Sequence, residues 1–86
     1  MSEGQVWPLR RWRLERGYGI RELARRAGVS HATITAIEHG ARQLPHGETW
    51  RKLAEALAIK VTQIAEYRRA VGLDEEHGDG EEARSR

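Results

Sequence analysis

The sequence predicts an all-α fold, a compact bundle of five short helices. Apolar residues recur at helical spacing in five successive stretches. Glycine or proline punctuates those stretches at short range, as helix ends require. Strand signals are missing: nothing alternates over any length, and no hairpin dipeptide separates β-branched runs.

Residues 1–7 show no apolar period and read as a flexible N-terminal arm. In PLRRWRLERG, Pro8 suits a first turn, where its missing N–H costs nothing, and Gly17 is the stop. Leu9 and Trp12 then share a face. IRELARRAG puts Ile20, Leu23, Ala24 and Ala27 on one stripe before Gly28. SHATITAIEHG offers Ser30 as the cap, Ile34 and Ile37 on one face, and Gly40 at its end. GETWRKLAEAL repeats the stripe with Trp50, Leu53, Ala54 and Leu57. VTQIAEYRRAV predicts a fifth helix through Val61, Ile64, Ala65, Arg68 and Val71. Only Gly-Val-Ser joins the second helix to the third, a turn that brings them near a right angle if Gly28 is left-handed. Leu23, Ala27, Val29, Ile34 and Ile37 can then meet in one cluster. His31, Ala32, Thr35, Ala36 and His39 face outward.

Charge divides the chain. Thirteen of the fifteen Lys and Arg residues lie in 1–73 against seven acids, a net +6; residues 74–86 hold six acids and two arginines, a net −4. The organisation expected is an arm over 1–7, a domain over 8–73 and an acidic, disordered tail over 74–86. A basic domain points to an anionic partner; solubilising surface is the alternative. There is no cysteine, which excludes disulfides and thiolate metal sites. No apolar run approaches the roughly 18–20 residues of a membrane span, so a cytoplasmic protein is expected.

No cofactor, metal site or enzymatic activity is expected. Of the four histidines (His31, His39, His46 and His77), His39 and His46 are separated by a glycine-containing loop, with no carboxylate at ligand spacing beside them. Ser30 reads as a cap rather than a nucleophile, and no Gly-Lys-Ser/Thr follows the glycines to cradle phosphate. Trp12 and Trp50 sit on apolar stripes and belong to the core. Trp7 either staples the first helix or packs on the domain edge.

LRRWRLERGYGIRELARRAGVSHATITAIEHG followed by LPHGETWRKLAEAL resembles the Cro/repressor-type (lambda-repressor-like, XRE-type) helix-turn-helix domains of phage repressors and their bacterial relatives. The resemblance covers about residues 9–66 and rests on Leu23-Ala24, Ala27-Gly28-Val29-Ser30, Thr33-Ile34, Ile37-Glu38, Gly40, Pro45, Glu48-Thr49 and Leu53-Ala54. It implies a double-stranded DNA partner, with the helix over 31–39 in the major groove and His31, Ala32, Thr35 and Ala36 reading base edges. It also implies phosphate contacts at the amides around Ile20 and around Gln43 and Leu44. Where such domains commonly carry Ser-Gln at the start of the second helix, this chain has Gly19-Ile20.

The reading helix is short of long polar side chains. Methyl and hydroxyl contacts from Ala and Thr, with His31 on a purine edge, are still valid base readout, and small side chains let the helix sit deep. Affinity is therefore expected to lean on phosphate contacts from Arg10, Arg21 and Arg42, with His46 beside them. The resemblance further implies an ion pair of Arg13 with Glu38 and a homodimer, formed mainly on DNA. Ile64, Tyr67 and Val71, assisted by Leu73, are the expected pairing surface; the alternative is that Ile64 and Val71 close the core over Trp50 and Leu57. The function expected is a transcriptional repressor. The other class open to the sequence is a protein-interaction module, such as an antitoxin or co-regulator. The acidic tail would then fold on a partner protein or compete within the chain for the basic face.

Overall fold

The computed structural model describes residues 4–41 and 45–72. Its α-helices are α1 (Leu9–Glu15), α2 (Ile20–Ala27), α3 (His31–Glu38), α4 (Gly47–Leu57) and α5 (Ala65–Ala70), with a 3-10 turn over Val61–Gln63. The described residues contain no strand, only an isolated parallel bridge of Trp7 with Ile64. The all-α bundle of five helices is thus the observed fold.

The helix ends are chemically explicit. Pro8, with φ fixed at −60°, opens α1. Ser30 Oγ accepts from the Thr33 amide at 3.1 Å and so satisfies one of the orphan donors of α3. Gly28 takes φ +74° and reverses the chain between α2 and α3. α4 ends at Ala58 with φ +61°, a left-handed conformation that costs a residue with a Cβ roughly 1–2 kcal/mol.

The stripes converge on one core. Leu9, Trp12, Leu23, Ile34, Ile37, Trp50, Leu53, Leu57 and Ile64 are buried, with Ala24, Ala27 and Ala54 filling the close approaches. Val29 joins the edge of this cluster, half-buried. α2 packs against both α3 and α4, which holds the tight turn from two sides.

The fifth helix departs from the periodicity. The chain makes a 3-10 turn over Val61–Gln63, is extended at Ile64 (φ −96°, ψ 117°), and only then enters α5. The cause lies far away in sequence. Trp7 N–H donates to the Gln63 carbonyl at 3.1 Å, and Ala65 N–H donates to the Trp7 carbonyl at 2.9 Å. Gln63 Nε2 reaches the Gln5 carbonyl at 3.2 Å, and Trp12 Nε1 donates to the Gln63 carbonyl at 2.7 Å. A continuous helix would have consumed these groups internally. The arm expected over 1–7 is accordingly docked, not loose, from Gln5 to Trp7. The Trp7 ring packs on Trp12 at 4.4 Å and carries the Arg11 guanidinium over its face at 3.9 Å.

Two long-range caps complete the frame. Glu66 Oε1 accepts from the Leu9 amide at 2.9 Å, so the start of α1 is capped from α5. Arg16 Nε donates to the Leu57 carbonyl at 2.8 Å and closes the end of α4.

Candidate nucleic-acid interface

α3 is set by its two isoleucines. With Ile34 and Ile37 buried, the residues off their stripe turn outward: His31 and Ala32 are exposed, Thr35 and Ala36 half-buried, and His39 exposed at the C-terminal end. The four residues assigned to base edges therefore share one face, at spacing i, i+1, i+4, i+5. That face is low and apolar, with a hydroxyl at Thr35 and an imidazole at His31.

The helix is locked at its far end. Arg13 Nε donates to Glu38 Oε2 at 2.7 Å, and Arg13 Nη2 donates to Glu38 Oε1 at 3.0 Å. A third bond runs from Arg13 Nη1 to the Tyr18 carbonyl at 3.0 Å. The two side chains are only 9% and 5% exposed, so this is a bidentate pair inside the protein, joining α1 to the last turn of α3. The bond to Glu38, reinforced by its charge, holds the Arg13 pKa above the ordinary guanidinium value against the opposing effect of burial.

The start of α2 lies beside the turn. Gly19 caps it without a side-chain hydrogen bond, so the amides following Ile20 meet no capping oxygen from that residue. Ile20 is half-buried against the core and Arg21 exposed. Glu22 sits in the same first turn, where a bare carboxylate would repel an anion. Arg25 and Arg26 both bind it, the latter through Nε at 2.6 Å. The hydrogen bond from Arg26, then that from Arg25, pulls the Glu22 pKa below the ordinary carboxylate value. Arg26 also lies over the Tyr18 ring at 4.6 Å.

The remaining candidates divide. His46 is exposed and precedes the first turn of α4, with no cap bond of its own. Arg10 is exposed on the outer side of α1, in a shallow groove with Pro8, Arg11 and Leu14. Arg42, Gln43 and Leu44 lie outside the described residues, as does the tail over 74–86. Among the described residues no three His, Asp or Glu side chains converge to hold a metal ion. No helix among them is long and apolar enough to cross a membrane.

The expected pairing surface needs one correction. Ile64 is 0% exposed and belongs to the core, because the Trp7 bridge draws its backbone inward. Tyr67 is half-buried, edge-on to Trp50 at 5.8 Å, while Val71 is 49% exposed. Only Tyr67 and Val71 of the three reach the surface.

Some supporting groups had no distinct sequence signal. Glu66 and Gln63 act across more than fifty residues, and nothing local marks their partners. The Glu22 cluster, by contrast, obeys i, i+3 and i, i+4 spacing and was legible in principle.

A short turn between α2 and α3, an outward face of small side chains and an internal clamp on the second helix define a helix-turn-helix module. Residues 9–64 match the helix-turn-helix family, and the chain belongs to it. The chain is similar to the HTH-type transcriptional repressor RghR of Bacillus subtilis (strain 168), at 49% identity over 51 residues. The aligned stretch covers 59% of this chain and 38% of that protein, so the likeness is confined to less than half of the relative. No solved structure gives a significant match.

Proposed function

We propose that the chain is a DNA-binding transcriptional repressor, acting in the cytoplasm, that places α3 in the major groove. The observation that carries this is the outward face of α3: His31, Ala32, Thr35 and Ala36 on a helix clamped by a buried ion pair. A rigid helix without bulky side chains can approach the groove floor, where methyl and hydroxyl contacts read thymine and purine edges. The uncapped start of α2, Arg21 and His46, together with Arg42, Gln43 and Leu44, supply the phosphate contacts; Arg10 extends them along α1. The repressor name of the Bacillus relative supports the regulatory reading. A homodimer on a near-palindromic site follows from the small footprint of one module, with Tyr67 and Val71 at the pairing surface.

Selection from random duplexes, followed by anisotropy titrations across a salt series, tests the reading. The expected result is an enriched two-part site and a log–log salt slope of several units. Binding that shows no salt dependence, or no binding, refutes it. In that case the partner-protein reading stands, and the exposed Pro8–Leu14 groove on α1 is the first surface to probe.

A further inference from the structure

Glu22 is the third residue of α2, the position from which a carboxylate ordinarily reaches back to the amide of its own helix cap. The chain makes that reach elsewhere. Gln63, third in the 3-10 turn, accepts from the Lys60 amide at 3.0 Å through Oε1. Glu22 does not follow it. Its Oε1 accepts from Arg25 Nη2, and its Oε2 from Arg26 Nε at 2.6 Å. The amides of Gly19, Ile20 and Arg21 meet no acceptor among the described residues.

Spacing explains the difference. Side chains on a helix lean toward its N-terminus, so arginines three and four residues on reach back over Glu22 and take one oxygen each. Arg26 is anchored in turn. Its guanidinium lies over the Tyr18 ring at 4.6 Å, and the Tyr18 carbonyl accepts from Arg13 Nη1 at 3.0 Å. The hold on Glu22 thus runs back to the residue that clamps α3. Both arginines are exposed and neither belongs to the core.

We infer that Arg25 and Arg26 are positioning residues for DNA binding, which hold the Glu22 carboxylate on the flank of α2 and away from the phosphate. Released from them, Glu22 folds back on the Gly19 amide as Gln63 does on Lys60, and sets a negative charge where the DNA backbone approaches. The dipole of α2 favours that return. Exposed ion pairs contribute little to stability, so the role of these two is read in binding rather than in folding. The effect on DNA rests on the reading proposed above, whereas the fold-back does not.

A cycle of four full-length chains tests it: parent, E22A, R25A/R26A and E22A/R25A/R26A. Each is titrated by anisotropy on the selected duplex. Simple addition of charges gives E22A the same gain with and without the arginines. The expected result is different. E22A changes the affinity of the parent by less than about twofold, but tightens R25A/R26A about 3–10-fold at low salt, and the difference narrows as salt rises. Proton NMR of the DNA-free chains reads the Gly19 amide. Its proton is expected downfield in R25A/R26A alone, since a hydrogen bond to a carboxylate deshields it. A gain from E22A no larger in R25A/R26A than in the parent overturns the positioning role and leaves the arginines as direct phosphate contacts. A Gly19 shift common to R25A/R26A and E22A/R25A/R26A overturns the fold-back. If no form binds any duplex, the DNA reading falls and the positioning role with it, while the amide still decides the fold-back.

Discussion

Substituting Glu38→Gln keeps the shape of the side chain and removes its charge. Arg13 then stays at the junction of α1 and α3 with its carboxylate partner gone, in a site where the two side chains are 9% and 5% exposed. One of the two bonds to residue 38 can persist through the amide oxygen, as can the bond to the Tyr18 carbonyl. The uncompensated buried charge is the larger effect, and breaking such a pair costs about 3–5 kcal/mol. In a domain of this size 1 kcal/mol moves Tm by roughly 4–8 °C, so a drop of more than about 10 °C is expected in thermal denaturation followed by circular dichroism. The double variant R13M/E38M removes both charges and fills the space with apolar groups, and should recover most of the loss. A Tm for E38Q within about 2 °C of the parent would refute the reasoning, since the pair would then contribute nothing that water does not replace.

Other perturbations separate the remaining roles. Glu66→Ala removes the cap on the Leu9 amide and should cost about 0.5–2 kcal/mol in chemical denaturation; no change would mean water takes over the amide. Arg21→Ala should lower the log–log salt slope of DNA binding by about one unit and weaken all duplexes alike. Thr35→Ala should instead change preference among duplexes by about 1–3 kcal/mol per affected base pair, and the reverse pattern would contradict the assignment. Glu22 has a depressed pKa in the folded chain, so its contribution is present above the ordinary carboxylate pKa of about 4.3 and is lost as pH falls through the folded value. The stability deficit of Glu22→Gln should therefore shrink on acidification, and a deficit constant down to pH 2 would exclude the ion pairs as its source.

The first four helices were legible because their signals are local. Gly47–Leu57 carries its own stripe, Ser30 its own cap, and Gly28 its own turn. The outward face of α3 follows from Ile34 and Ile37 by helical geometry alone. The fifth helix was not legible in the same way. Val61, Ile64 and Val71 satisfy a helical period, yet the chain is extended at Ile64 because Trp7 bonds there. No window on either stretch reveals the other. The same contact withdrew Ile64 from the surface and docked Gln5–Trp7. Arg13 and Glu38 were marked by family resemblance rather than by periodicity, since a pair 25 residues apart has no local signature.

The seam between the N-terminal segment and α5 also orders events in time. A short turn joins α2 to α3, and α4 packs back on α2, so the contacts among these three helices close smaller loops than the seam does and can form early. Leu9 and Glu66 are 57 residues apart, and joining them costs roughly 3–4 kcal/mol in loop closure on a naked chain. That cost falls once the central helices have shortened the effective loop, which places the seam late on the folding route. Contacts that form late are the ones absent from the transition state, and they act on the rate of unfolding more than on the rate of folding. Trp7, Trp12, Gln63 and Glu66 thus serve as the latch of the fold: the residence time of the native state depends on them, while the speed of its assembly depends on the three helices they enclose.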